Sequence, residues 1–230
     1  MLSEGFFISV PIAYGYFVGS IPTAYLVARW IKGIDLRWYG SRNIGGSNAA
    51  AHVGKVYFVP VVAFDLLVKG GTPLLLARAM GMEEGLQAIA GIAAVLGHSW
   101  PLYTRFVGGR GVSAAGGTLL ILSPIALLLS IAISGLGTVL FKSSGLWVGI
   151  AIFLLPLWAL LFQESMEVLV FSFVLVALLS IKRLEANRIK GPQGVSWYRL
   201  AARRLIHDRD VGIGEEWAER VPSGRSGRAR

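Results

Sequence analysis

Three short polar stretches hold the groups in this chain that could do chemistry. The first, Gly40-Ser-Arg-Asn-Ile-Gly-Gly-Ser-Asn48, packs three glycines, two serines and two asparagines into nine positions. Such a backbone can turn its N–H groups inward around an oxyanion, and Ser41, Asn43, Gly45 and Asn48 are the residues that would line it. The same run can instead be a polar turn that caps the next helix. A helix starting near Ser47 or Asn48 would add a favourable dipole for an anion. The second stretch is Gly97-His-Ser-Trp-Pro101 with Gly108-Gly-Arg-Gly111 close behind. Arg110 between Gly109 and Gly111 offers a two-pronged fork for phosphate or carboxylate, or is simply a basic turn residue. His98 can bond a phosphate, exchange a proton, or cap its helix. The third is the pair Lys142 and Ser143. Together they describe one anion site assembled at a membrane face.

Patterns that are missing narrow the chemistry. The chain has no cysteine, so disulfides and thiolate metal sites are excluded. His52 and His207 do not form metal-ligand spacing with His98. The Gly-x-x-x-x-Gly-Lys-Ser/Thr loop of nucleotide-binding enzymes is absent. So are the His-x-x-x-x-Asp pair of CoA-dependent acyltransferases and the Gly-x-Ser-x-Gly elbow. An obvious covalent nucleophile is therefore missing, and no metal-ligand set is present in the sequence.

The elements that must position these groups are apolar helices. The chain of 230 residues is 54% hydrophobic and 15% charged, with mean hydropathy +0.62, too apolar for an ordinary soluble domain. A bilayer span needs about 20 apolar residues. Segments 6–30, 56–80, 86–106, 112–141, 145–162 and 168–181 qualify or come close. The fourth is too long for one upright helix, and Ser123 and Pro124 divide it into 112–122 and 124–141. The expectation is an all-α integral membrane protein of about seven transmembrane helices. Basic and non-basic loops alternate along that arrangement. Lys32, Arg37, Arg42 and Lys55 mark one loop, Arg105 and Arg110 another, Lys142 a third, and arginines crowd the region after Lys182. The loops holding Glu83 and Glu84, Ser123, and Glu164 and Glu167 carry no base. The positive-inside rule then puts the N-terminus outside and the C-terminus in the cytoplasm. Glu4 in place of a basic start argues against a cleaved signal peptide.

Residues 1–190 read as the membrane-embedded unit and 191–230 as a basic cytoplasmic tail. In the tail, 197–206 has the spacing of a short amphipathic helix on the membrane surface, and 212–230 reads as a disordered end. The formal net charge is +9. Its concentration in loops and tail suits anionic lipid headgroups, not nucleic acid. Asp65 and Lys69, four residues apart inside an apolar segment, form either an internal ion pair or part of an anion site. A lone charge there would cost roughly 3 kcal/mol.

Taken in order, the motifs resemble the bacterial acyl-phosphate:glycerol-3-phosphate acyltransferase family, often called PlsY. Gly19-Ser-Ile-Pro-Thr-Ala-Tyr25 is similar to the family's first helix, and residues 40–48 to its Gly-Ser-Gly-Asn-Ile-Gly-Ala-Thr-Asn motif. Lys69 and Gly70 resemble its Asp…Lys-Gly element. Leu96-Gly-His-Ser-Trp-Pro101 and Phe106-Val-Gly-Gly-Arg-Gly-Val112 resemble its next two blocks. Ser143 and Asn187 fit the serine and asparagine that follow.

The resemblance implies a seven-helix enzyme of the bacterial plasma membrane with its site facing the cytoplasm. It would move a fatty acyl group from acyl phosphate to the 1-hydroxyl of glycerol 3-phosphate, giving lysophosphatidic acid and phosphate for phospholipid synthesis, without a cofactor. Ser41, Asn43, Gly45 and Asn48 would then contribute to the acyl-phosphate pocket. Arg110, Ser143 and Asn187, with Gly108 and Gly109, would meet glycerol phosphate, with Lys69 nearby, and His98 and Arg110 would be the catalytic residues. The sequence departs from the family pattern in five places. Arg42 stands where it has glycine, Ala51 where it has arginine, Arg110 where it has lysine and Leu184 where it has histidine. The step from Asp65 to Lys69 is one residue longer. Arg42 could supply the charge lost at Ala51. The competing expectations are a relative acting on another acceptor or lacking activity, and a small anion transporter.

Overall fold

The computed structural model describes residues 4–188 and 194–208, and among them the chain is all helix, with no β-strand. The order is α1 (Glu4–Gly19), α2 (Thr23–Lys32), α3 (Gly46–His52) and α4 (Phe58–Ala63), then a π-helical stretch (Phe64–Gly71) that runs on into α5 (Thr72–Ala79). After these come α6 (Glu84–Ser99), α7 (Val112–Leu122), α8 (Pro124–Phe141), α9 (Ser144–Phe153), α10 (Leu155–Leu161), α11 (Met166–Glu185) and α12 (Trp197–His207). Among the described residues, four helical segments are long and apolar enough to cross a membrane: Glu4–Lys32, Lys55–Ala79, Pro124–Phe141 and Ser144–Leu161. The protein is a multi-pass membrane protein whose outer surface carries the large apolar side chains that lipid requires, such as Leu128, Leu136, Val139 and Leu140.

The break between α7 and α8 falls at Ser123, as the Ser–Pro pair predicts. The expected span over 86–106 is shorter in the structure. Its helix stops at Ser99, because Pro101 pushes Trp100 out of the helical region, and a 3-10 turn over Leu102–Thr104 follows.

The interior is built from Leu74, Val95, Leu119, Phe171, Leu175 and Leu179, contributed by α5, α6, α7 and α11. A close backbone contact is made by α7 on the π stretch. A Cβ on Gly117 would collide with the Leu66 carbonyl, and one on Gly70 with that of Ala114. Small residues permit such backbone approach in a bilayer, where dispersion and shape stand in for water exclusion. The π stretch also accounts for the long step from Asp65 to Lys69. A π turn absorbs one extra residue while both side chains stay on the inner face.

Hydrogen bonds sort the loops into two ends. Ser123 donates to Glu164 at 2.8 Å, and Ser165 donates to Glu84, so the three acid-bearing or neutral loops lie together. The loops holding Arg42 and Arg110 meet the end of α11 at the other end. Ser165 also caps α11 by accepting from the Val168 N–H at 3.2 Å. Ser165→Ala removes that cap, and the expected loss is about 1 kcal/mol of stability. A melting curve of the detergent-solubilised protein checks this, and an unshifted midpoint would show that the cap is idle.

Helix α12 lies within the expected tail segment, but it packs on α9 and α11, burying Leu200 and Arg204. The expected disordered end, 212–230, is outside the described residues.

Candidate active site

The first glycine-rich loop is held by one side chain. The Asn48 amide N–H2 donates to the carbonyls of Asn43 at 2.9 Å, Tyr39 at 3.0 Å and Leu36 at 3.4 Å, drawing residues 36–43 around itself. Asn48 is 1% exposed, and its amide oxygen has no partner among the described residues. Neither has Asn43 Oδ1 nor His52 Nε2, both also buried. Gly40, at φ 54°, faces His52 Nε2 and the Asn48 oxygen so closely that a Cβ would strike both. Burial pushes the His52 imidazole below its ordinary value of 6.5, which keeps it neutral at pH 7. Ser41 is half-buried, and Gly45 is the extended residue that starts α3.

Asn187 binds this loop to the second. Its side-chain N–H2 donates to the Arg42 carbonyl at 3.4 Å and the Gly108 carbonyl at 3.1 Å, while its oxygen accepts from the Gly108 N–H at 3.4 Å. Arg42 and Asn187 both sit in the left-handed region, at φ 57° and 55°. Three turns distant in sequence therefore meet on one amide. The Arg42 side chain projects from this junction into solvent.

Behind the second loop lies a buried polar core. Gly109 donates its N–H to the His98 carbonyl at 3.0 Å, and its Cα faces the imidazole so closely that any Cβ would overlap the ring. His98 Nδ1 lies 3.5 Å from Lys69 Nζ and 3.8 Å from an Asp65 oxygen. Lys69 and Asp65 pair at 2.6 Å, and Thr23 donates to the same Asp65 oxygen at 3.0 Å. Both readings of Asp65 and Lys69 thus meet in one place: an internal ion pair that also abuts the second loop's histidine. No hydroxyl is bonded to His98 among the described residues, so this core contains no nucleophile–base pair of the hydrolase type.

Arg110 points to the end of α11, with Nη1 3.3 Å from the Lys182 carbonyl and Nε 2.7 Å from an Asp208 oxygen. Lys182 is fully buried, 3.0 Å from Glu185 and over the face of Trp100, whose indole N–H donates to Glu185 at 2.7 Å. Ser143 precedes α9 and makes no side-chain hydrogen bond among the described residues. It sits two residues from Gly145, which the His207 backbone covers. The sequence reading missed Thr23, Trp100, Lys182, Glu185 and Asp208. A threonine four residues after Gly19 was in view as part of a motif, but nothing local announced its partner 42 positions away.

Arg42, Arg110, Lys182, Arg183 and Arg204 gather at this end against Glu185 and Asp208. An all-helical membrane bundle with such an end belongs to the class of membrane proteins with a basic, polar site at one face, a frame that can hold an anion by placement and charge.

Comparison with known proteins gives the family. A family model described as glycerol-3-phosphate acyltransferase matches residues 9–190, and the chain belongs to that family. A Dehalococcoides mccartyi protein named glycerol-3-phosphate acyltransferase 4 is 33% identical over 225 residues, covering 95% of each chain. A glycerol-3-phosphate acyltransferase of Desulforamulus reducens is 36% identical over 172 residues, 75% of this chain and 85% of its own. Among solved structures, PlsY, an integral membrane glycerol 3-phosphate acyltransferase, matches in its glycerol 3-phosphate form. That match has a TM-score of 0.73 and 30% identity, over 79% of this chain and 90% of that one. Its lysophosphatidic acid form matches with a TM-score of 0.69 and 27% identity over the same shares.

Proposed function

We propose that this protein transfers a fatty acyl group from acyl phosphate to the 1-hydroxyl of glycerol 3-phosphate. The hydroxyl oxygen attacks the acyl carbonyl carbon, the bond from that carbon to the phosphate oxygen breaks, and the departing phosphate takes the proton. Lysophosphatidic acid and inorganic phosphate result, and membrane phospholipids are the downstream product. The donor is already activated by its leaving group, so the reaction calls for no cofactor. The observation that carries this reading is the Asn187 clamp, which brings the loops of Arg42 and Gly108 side by side as two phosphorylated substrates require. The related structures in glycerol 3-phosphate and lysophosphatidic acid forms agree with it.

In this reading Ser41, Asn43, Gly45 and Asn48 serve the acyl phosphate. Arg42, Gly108, Gly109, Arg110, Ser143 and Asn187 serve the acceptor, and Lys69 and His98 brace the second loop from within. Seven spans put the N-terminus outside and the site on the cytoplasmic face of the bacterial inner membrane, with lipid around the bundle and nucleic acid playing no part. The test is purified protein supplied with acyl phosphate and glycerol 3-phosphate. Phosphate release that requires both supports the proposal. Release with a different acceptor only, or anion flux in liposomes without release, replaces it.

Arg42 carries a prediction of its own. Its position beside Asn187 suits it to supply the positive charge absent at Ala51. Arg42→Ala should raise KM for glycerol 3-phosphate roughly tenfold or more, the worth of one charged hydrogen bond. Saturation curves that superimpose on those of the parent reject that role.

A further inference from the structure

The family match ends at residue 190, yet α12, which begins seven residues later, folds back onto the site. Three backbone contacts hold it there. Arg204 Nη1 donates to the Leu184 carbonyl at 2.7 Å, and Arg183 Nη1 donates to the Leu205 carbonyl at 2.7 Å. The His207 backbone lies on Gly145 with no space for a Cβ. The next residue, Asp208, turns through the left-handed region at φ 56° and presents its carboxylate to Arg110.

That pairing is close but poorly aligned. Nε and the Asp208 oxygen are 2.7 Å apart, and both atoms are buried, yet neither completes a hydrogen bond. Arg110 Nη1 meanwhile spends itself on the Lys182 carbonyl at 3.3 Å. The guanidinium thus meets one carboxylate oxygen side-on, where its fork is shaped to grip two oxygens of one anion.

We propose that Asp208 is a built-in competitor for the phosphate of the acceptor substrate, set against Arg110 by α12, and that it tunes how tightly and how selectively the acceptor is held. The proposal rests on the reading of Arg110 as the acceptor's phosphate ligand. A phosphate monoester carries about −1.5 to −2 charges near neutrality and three acceptor oxygens, so it displaces a single misaligned carboxylate. A neutral polyol or a weakly charged acceptor does not. Displacement needs only the Asp208 side chain to swing aside, since none of the three anchors of α12 involves it. Asp208 acts through Arg110 and does not touch the reacting atoms.

The experiment uses the full-length protein in detergent, comparing the parent with Asp208→Asn and Asp208→Glu. Removing the competing charge should lower KM for glycerol 3-phosphate about threefold to tenfold, by removing the population tax on the binding-competent state. KM for acyl phosphate should stay put, and Asp208→Glu should behave as the parent does. Calorimetric titration with inorganic phosphate should show the same tightening in Asp208→Asn. An unchanged or raised acceptor KM with unchanged phosphate affinity overturns the proposal. A fall in kcat alone does so too, because it marks Asp208 as a fixed brace for Arg110. Should the parent release no phosphate with this acceptor, the functional reading fails, while the phosphate titration still decides whether Asp208 competes for an anion. Melting curves of the three proteins separate these effects from unfolding.

Discussion

Arg110→Ala should lower kcat/KM for acceptor-dependent phosphate release by about 100-fold to 1,000-fold, the range seen when one preorganised charge-stabilising donor is lost from a site. Arg110 is the only base in the Gly108–Gly111 turn, and its Cα is carried by a loop that Asn187 and His98 lock in place. The substitution therefore removes the charge and leaves the frame. Arg110→Lys should recover most of the loss, because the family pattern carries lysine there and only the fork is given up. Steady-state kinetics at several acceptor concentrations provide the measurement. A fall smaller than about threefold for Arg110→Ala, against that 100-fold expectation, removes Arg110 from the acceptor site.

Lys69→Met should be the most damaging single change to folding. Lys69 and Asp65 are each 2% exposed in their side chains and pair at 2.6 Å, with Thr23 completing the carboxylate's shell. Losing the lysine strands a buried carboxylate at a cost of about 3 to 5 kcal/mol. The double variant Asp65→Leu with Lys69→Met should regain most of that, since a well-packed apolar pair can equal a buried ion pair. Thermal melts in detergent read both. A single variant within about 1 kcal/mol of the parent would contradict the argument. Activity of the double variant then separates the two roles left open by the sequence. Stable and active means the pair is only structural; stable and inactive means the second loop needs the lysine behind His98.

Much of this fold is written in hydropathy. The break at Ser123 and the meeting of the Arg42 and Arg110 loops at one end both follow from local composition. The π stretch left one trace, the extra residue between Asp65 and Lys69, which has meaning only beside a family pattern. The early stop of α6 at Ser99 was encoded in Pro101 but masked by the apolar residues on either side. The inward turn of Asn48, the burial of His98 against Gly109 and the reach of Asp208 to Arg110 are contacts between a side chain and a distant partner. They have no period, so no window along the chain reveals them. The curated relative that covers 95% of this chain extends past the family's core region, which makes it the natural place to look for a second α12.

Because Asn187 lies just after α11, the junction of the loops has a birth order. A ribosome delivers the Arg42 turn first and the Gly108 turn next, and both wait unjoined until residue 187 emerges. A chain cut short before that point would carry α1 to α11 and still lack the amide that joins the two loops, so this junction closes only once synthesis has passed residue 187.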